Sequence, residues 1–239
     1  MKKFAILSII AATILLGSCK DETEKPKVIY EDAKNSVKEI VKDTTQIKIA
    51  DLPIYMEGSN YLIHPIGDYR IYDKGSKWSY GATSGEGSFT ISNTSEFEIT
   101  GFLSDLKFQA IGSDSLKSLT DKPILIQRAT YLKAKFDNSK QKFMIYVLSD
   151  SDTNKDGKLD SNDIQSLYIS QLTGERFTKL SDAFQEVLDW NFIEIQNRLY
   201  FRTIEDINKN GEFNKSDKVH YQFVNLSNND WKVESYLPI

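Results

Sequence analysis

Leu167-Tyr168-Ile169-Ser170-Gln171-Leu172-Thr173-Gly174-Glu175-Arg176-Phe177-Thr178-Lys179-Leu180-Ser181-Asp182 reads as a strand, a glycine turn and a second strand. Shifted back by 61 residues (167 − 106 = 61), it aligns without gaps on residues 106–121. The apolar positions coincide: Leu106 with Leu167, Phe108 with Ile169, Ile111 with Leu172, Leu116 with Phe177 and Leu119 with Leu180. One copy ends in Leu-Thr-Asp and the other in Leu-Ser-Asp. A third version runs through residues 219–224, a polar turn at Asn228-Asn229-Asp230, and Trp231-Lys232-Val233. Self-similarity at a fixed spacing marks a supersecondary unit that buries its apolar face against its neighbours.

The segments ahead of each hairpin recur as well. Residues 130–136, a turn at Asp137-Asn138-Ser139 and residues 143–148 lead towards the second copy; residues 190–195, a turn at Gln196-Asn197 and residues 199–204 lead towards the third. The unit is therefore strand, turn, strand, long loop, strand, turn, strand: four antiparallel strands in about 55–60 residues. Units fall at about 97–121, 122–182 and 183–239, the first short and without the loop. Strand patterns at residues 46–50 and 61–67 leave 46–95 available for a divergent fourth sheet. Ala33, Val37, Ile40 and Val41 at helical spacing predict one short amphipathic helix over 32–42. The expected fold is mainly β, with repeated four-stranded antiparallel blade-like sheets, propeller-like or openly stacked, in a single domain over 31–239. A strand such as Leu167-Tyr168-Ile169, followed by a Gly turn and a Leu-Ser/Thr ending, resembles the TolB-like family of propeller repeats over about half the chain. The three visible units are fewer than the four or more blades that close a propeller.

The long loop of the second unit is Asp152-Thr153-Asn154-Lys155-Asp156-Gly157-Lys158-Leu159-Asp160-Ser161-Asn162-Asp163. Oxygen-bearing side chains stand at positions 1, 3, 5, 9 and 12, glycine at 6 and an apolar residue at 8. The pattern returns 54 residues on (206 − 152 = 54) as Asp206-Ile207-Asn208-Lys209-Asn210-Gly211-Glu212-Phe213-Asn214-Lys215-Ser216-Asp217. Ca²⁺ is a hard cation taking six to eight oxygens, and alternate side chains of a curled loop converge on one point. The expected ligands are Asp152, Asn154, Asp156, the Lys158 carbonyl, Asp160 and Asp163 in the first loop. In the second they are Asp206, Asn208, Asn210, the Glu212 carbonyl, Asn214 and Asp217. Four carboxylates against two predict tighter binding by the first loop, so the chain is expected to hold one or two Ca²⁺ ions. The alternatives are solvated acidic turns, or a second loop that keeps the turn without the metal. The loops resemble EF-hand and dockerin loops, with Asp at position 12 as in dockerins. That resemblance implies the ligand positions but not the helix–loop–helix fold, because strands enter both loops.

At the N-terminus, Lys2-Lys3, the apolar residues 4–16 and Leu16-Gly17-Ser18-Cys19 resemble a bacterial lipoprotein signal. Residues 1–18 are then the signal peptide, Cys19 the lipidated residue and 19–30 an acylated tether holding the protein to a membrane. A plain secretory signal with an incidental cysteine is the alternative. Lys20-Asp21-Glu22-Thr23-Glu24 resembles an export tag for surface lipoproteins, which implies the outer face of the outer membrane; an ordinary polar tether is the alternative. Cys19 is the only cysteine, so no intrachain disulfide forms.

Forty per cent hydrophobic residues, with 12 Tyr, 13 Phe and 3 Trp, suffice for a core and lean towards strands. The net charge of −4 lacks the basic footprint of nucleic-acid binding. His64 and His220 are the only histidines, and neither G-x-S-x-G nor H-E-x-x-H occurs. The reading is a non-enzymatic, calcium-binding surface lipoprotein, a binding or accessory module for a protein or glycan. The alternative is a cell-surface hydrolase or glycan-processing protein with its site in residues 55–105, where Trp78, Tyr80, Phe89 and Phe97 offer aromatic faces. A dockerin-like assembly module is a third reading, which requires a helix after each loop.

Overall fold

In the computed structural model, residues 26–30, 46–70, 90–132, 142–228 and 230–239 are described. The helix expected over 32–42, Cys19, the turn at 137–139 and Trp78, Tyr80 and Phe89 lie outside them. No described helix is long and apolar enough to cross a membrane.

Among the described residues the chain forms two antiparallel sheets. The first has ten strands: β1 (Gln46–Ala50), β2 (Ile54–Tyr55), β3 (Tyr61–Arg70), β4 (Ser92–Thr94), β5 (Glu98–Ala110), β6 (Leu116–Ser118), β7 (Leu125–Leu132), β8 (Phe143–Ser149), β9 (Ser166–Gln171) and β10 (Thr178–Lys179). Its main path is β1-β3-β5-β7-β8-β9-β10, with β2 paired to β3 and with β4 and β6 paired to β5. The second sheet is the meander β11 (Gln185–Ile193), β12 (Arg198–Glu205), β13 (Lys218–Asn225) and β14 (Val233–Ser235). A single 3-10 turn, Glu194–Gln196, joins β11 to β12.

Three expectations are corrected here. The strand placed at 130–136 begins at Leu125. The described parts of 46–95 do not make a fourth sheet, because β3 and β4 both pair with β5. Nor are the first two units separate sheets. β5 is 13 residues long, and its outer edge is shared. Thr100 and Leu103 face β7, whereas residues 107–109 face β6. No closed ring of sheets occurs among the described residues.

The repeated pattern recurs bond for bond. The Leu119 amide donates to the Leu106 carbonyl at 3.0 Å, Leu180 to Leu167 at 2.8 Å and Tyr236 to Tyr221 at 3.0 Å. Across the preceding strand, Ile111 donates to Asn60, Leu172 to Lys142 and Leu226 to Asn197, at 2.9, 2.9 and 2.8 Å. The register follows: Lys107 opposes Ser118 as Tyr168 opposes Lys179 and Gln222 opposes Ser235.

Burial explains the order of layers. Successive side chains of a strand point to opposite faces, and all seven residues of β8 are buried or nearly so. Met144, Tyr146 and Leu148 enter one core with Ile63, Leu106, Phe108 and Ile126. Phe143 and Ile145, with Leu167 and Ile169 of β9, enter another with Leu199, Phe201 and Val224 from the second sheet. β8 is thus the middle of a three-layer stack, apolar on both faces, and the long loops project from the ends of β8 and β12.

Candidate calcium loops and the strap between them

Both loops are built by the same hydrogen bonds. At position 1, Asp152 accepts the amides of Asp156 and Gly157 at 3.1 and 2.8 Å; Asp206 accepts those of Asn210 and Gly211 at 3.2 and 2.7 Å. At position 3, Asn154 and Asn208 each accept the amide of position 5, at 3.0 and 2.9 Å. Asp156 and Asn210 each accept the amide two residues on at 2.9 Å, and Asp160 and Asn214 do the same at 2.8 and 2.9 Å. At position 12, Asp163 accepts Thr153 and Asp160, and Asp217 accepts Ile207 and Asn214, closing the loop on itself. Lys155 and Lys209, at position 4, have φ of 56° and 55°; Gly157 and Gly211, at position 6, have 85° and 84°. Two left-handed residues in three curl the chain so that its polar side chains turn inward, and glycine carries one of them without strain.

The two loops differ in environment. Asp163 is fully buried and Asn154 is 9% exposed, whereas Asn208, Asn210 and Asn214 are open to solvent. Burial pushes the Asp163 carboxyl above its ordinary value, against the pull of three backbone amides. Lys158 and Glu212, placed at position 7 for their carbonyls, have exposed side chains. Among the described residues no three His, Cys, Asp or Glu side chains form a group poised to hold a metal ion. Each loop carboxylate is turned onto loop amides, and Asn154 and the Lys158 carbonyl in the first loop, and Asn208, Asn210, Asn214 and the Glu212 carbonyl in the second, are not carboxylates. The donor chemistry is nonetheless uniform: carboxylate, carboxamide and carbonyl oxygen, without nitrogen or sulfur, which suits calcium and not zinc. A carboxylate has about four lone-pair sites, so one or two amide bonds leave capacity for a cation.

Sequence reasoning missed what lies between the loops. Residues 26–30, read as part of a tether, cross both. The Lys27 amide donates to the Gly211 carbonyl at 2.8 Å, and the Ile29 amide to the Thr153 carbonyl at 2.9 Å. The Thr153 hydroxyl donates to the Lys27 carbonyl at 2.7 Å, and Val28 is 2% exposed. Lys27 Nζ pairs with Glu186 at 2.9 Å. Burial, then the charge and hydrogen bond of Asp206, push the Tyr30 hydroxyl up to about 12. A Val-x-Tyr without periodicity gave no signal for this strap, and Thr153 stands at a position of the loop pattern that has no ligand role.

For the catalytic alternative, His64 Nε2 bonds Gln109 at 2.8 Å, and His220 Nε2 bonds Glu205 at 2.7 Å across β12 and β13. Within 55–105, Asp105 is buried, which raises its carboxyl, and it accepts the Leu119 amide at 3.1 Å as part of the hairpin. The chain after the loops runs into β9 and β13, so the helices of a dockerin do not follow either loop. No known protein-family model matches this chain, and no curated protein matches it in sequence.

Proposed function

We propose that this chain is a calcium-stabilised surface lipoprotein, anchored through Cys19, that acts as a non-enzymatic binding or accessory module of stacked blade-like sheets. The observation that carries the calcium reading is the position-by-position correspondence of hydrogen bonds in the two loops, down to the left-handed residues at 4 and 6. Six oxygens in each loop would hold the ion: Asp152, Asn154, Asp156, Lys158, Asp160 and Asp163, and Asp206, Asn208, Asn210, Glu212, Asn214 and Asp217. The hydrogen-bond correspondence of the three hairpins supports the blade-like reading of the sheets. Calcium here is structural, ordering two long connections and the strap pinned between them. Extracellular sites of this kind work at about 10⁻⁴–10⁻³ M, so they stay filled outside the cell.

The test is a thermal melt of the protein freed of residues 1–19, in EDTA and across a calcium titration with magnesium as control. A calcium-specific rise saturating between micromolar and millimolar is expected. No shift at millimolar calcium refutes the reading and leaves the loops as turns without metal.

A further inference from the structure

A cleft of about 610 Å³ opens between the two sheets, where β5 and β7 of the first approach β11 of the second. Its walls are irregular in a telling way. Four strand pairs among the described residues break register, and in three of them the break falls on this cleft. β5 gains one residue against β7 at Gly101-Phe102, β7 gains Gln127 against β8, and β11 gains Leu188 against β12. A bulge disrupts the ladder and re-aims a side chain, and bulges concentrate beside functional sites.

What they present is specific. Phe102 is 64% exposed and Leu188 46% exposed, at odds with their hydrophobicity. Trp190, resting on the core between the sheets, lines the same cleft. Gln127 accepts from Gln165 Nε2 at 2.6 Å through its carbonyl oxygen, but its own Nε2 is covered and has no hydrogen-bond partner. It is one of two such side-chain atoms among the described residues, and an unmet buried donor calls for an explanation. The terminal torsion of glutamine is soft, so this amide can rotate towards a group in the cleft, exchanging its bond to Gln165 for one to the ligand. The charged side chains on the wall are already matched: Arg128 to Glu98 at 3.5 Å, and Asp189 to Arg202. A ligand therefore meets apolar faces and amides, and no uncompensated charge.

We propose that this cleft binds a neutral carbohydrate, with the sugar's C–H face against Phe102 and Trp190 and its hydroxyls on the amides of Gln127 and Gln165. Hydroxyls both donate and accept, as a carboxamide pair requires, and the volume is that of an ordinary small-ligand site. This deepens the binding-module reading and rests on it, but it is independent of calcium in the loops.

The test titrates the full-length protein in detergent and calcium with neutral di- and trisaccharides of glucose, mannose, galactose and xylose, using tryptophan emission and calorimetry. A sulfated glycan fragment and an extended β-forming peptide serve as controls. Saturable binding of at least one neutral saccharide is expected, weakened at least tenfold in both Phe102→Ala and Gln127→Leu. Phe102 is exposed, so its variant keeps the fold, and an unchanged melting temperature checks this. The proposal is overturned by no saturable saccharide binding at about 10 mM (roughly tenfold above a millimolar Kd), by binding that both variants retain, or by preference for the sulfated fragment or the peptide. A protein that calcium stabilises but that binds no saccharide removes the cleft reading alone; saccharide binding without calcium stabilisation removes the loop reading alone.

Discussion

Gly157 and Gly211 occupy the same position in the two loops with φ of 85° and 84°, yet their surroundings differ completely. A Cβ on Gly157 would meet nothing within 4 Å, whereas one on Gly211 would lie 2.5 Å from the Val28 carbonyl oxygen and 2.6 Å from Pro26 Cβ. Alanine at either site bears the left-handed penalty of about 1–2 kcal/mol. Only Gly211→Ala must also push the strap away. The strap contributes the burial of Val28, about 1.5–3 kcal/mol, and three hydrogen bonds at about 1 kcal/mol each. Against this stands the ordering of five residues at about 1 kcal/mol each or more. The net is at most about 1 kcal/mol, so displacing the strap by the clash should cost up to about 1 kcal/mol beyond the matched glycine. For a chain of this size that is up to about 4 °C of additional loss in Tm. Thermal melts of the two variants in saturating calcium measure the difference, and limited proteolysis at Lys27 reports the strap directly. Equal losses, with Lys27 protected in both variants, would refute the claim that the strap is a stabilising part of the fold.

Other outcomes follow from the same geometry. By calorimetry, Asp152→Ala with Asp156→Ala should remove the tighter calcium step and Asp206→Ala the weaker one; the reverse order would overturn the ranking by carboxylate number. Asp150 is pushed up by burial but pulled further down by the Lys179 ammonium at 2.7 Å and the Tyr168 hydroxyl at 2.6 Å, so its carboxyl lies below its ordinary 3.8. Its stabilisation is complete above the unfolded value and lost as pH falls through the lower folded one. The urea midpoints of wild type and Asp150→Asn should therefore differ at pH 6 and approach one another as pH falls from 3.8 through the lower folded value. A gap that persists in acid would show that the residue acts through packing. Cys19→Ala should release the protein from membranes on fractionation, and continued anchoring would remove the lipoprotein reading.

The hairpins were legible because their information is local: Leu106 and Leu167 sit where period-2 burial demands them, and the glycine turn fixes register within a few residues. The loops were legible for the same reason, as twelve consecutive residues encode each one. What escaped was non-local. That β5 lends its outer edge to both β6 and β7 depends on strand length and on which edges remain unpaired, and neither is written in its own alternation. The bulges at Phe102, Gln127 and Leu188 are single-residue insertions that look like ordinary strand positions until the partner's register is known. The strap escaped because five residues have no period to read. The described parts of 46–95, left open for a fourth sheet, join the first one instead, because residues 61–67 carry the pattern of a buried strand without saying whose neighbour it is.

The strap also fixes where mechanical load enters the molecule. If Cys19 is the attachment point, only six residues (20–25) separate it from Pro26, a leash of seven Cα–Cα steps (26 − 19 = 7) and about 25 Å at full extension. The end of the molecule bearing both loops then stays within that distance of the attachment plane, and the opposite end is the one free to sweep outward. Under that attachment, tension on the leash reaches Gly211 and Thr153 of the two loops and, through the Lys27–Glu186 pair, β11, ahead of the rest of the folded body.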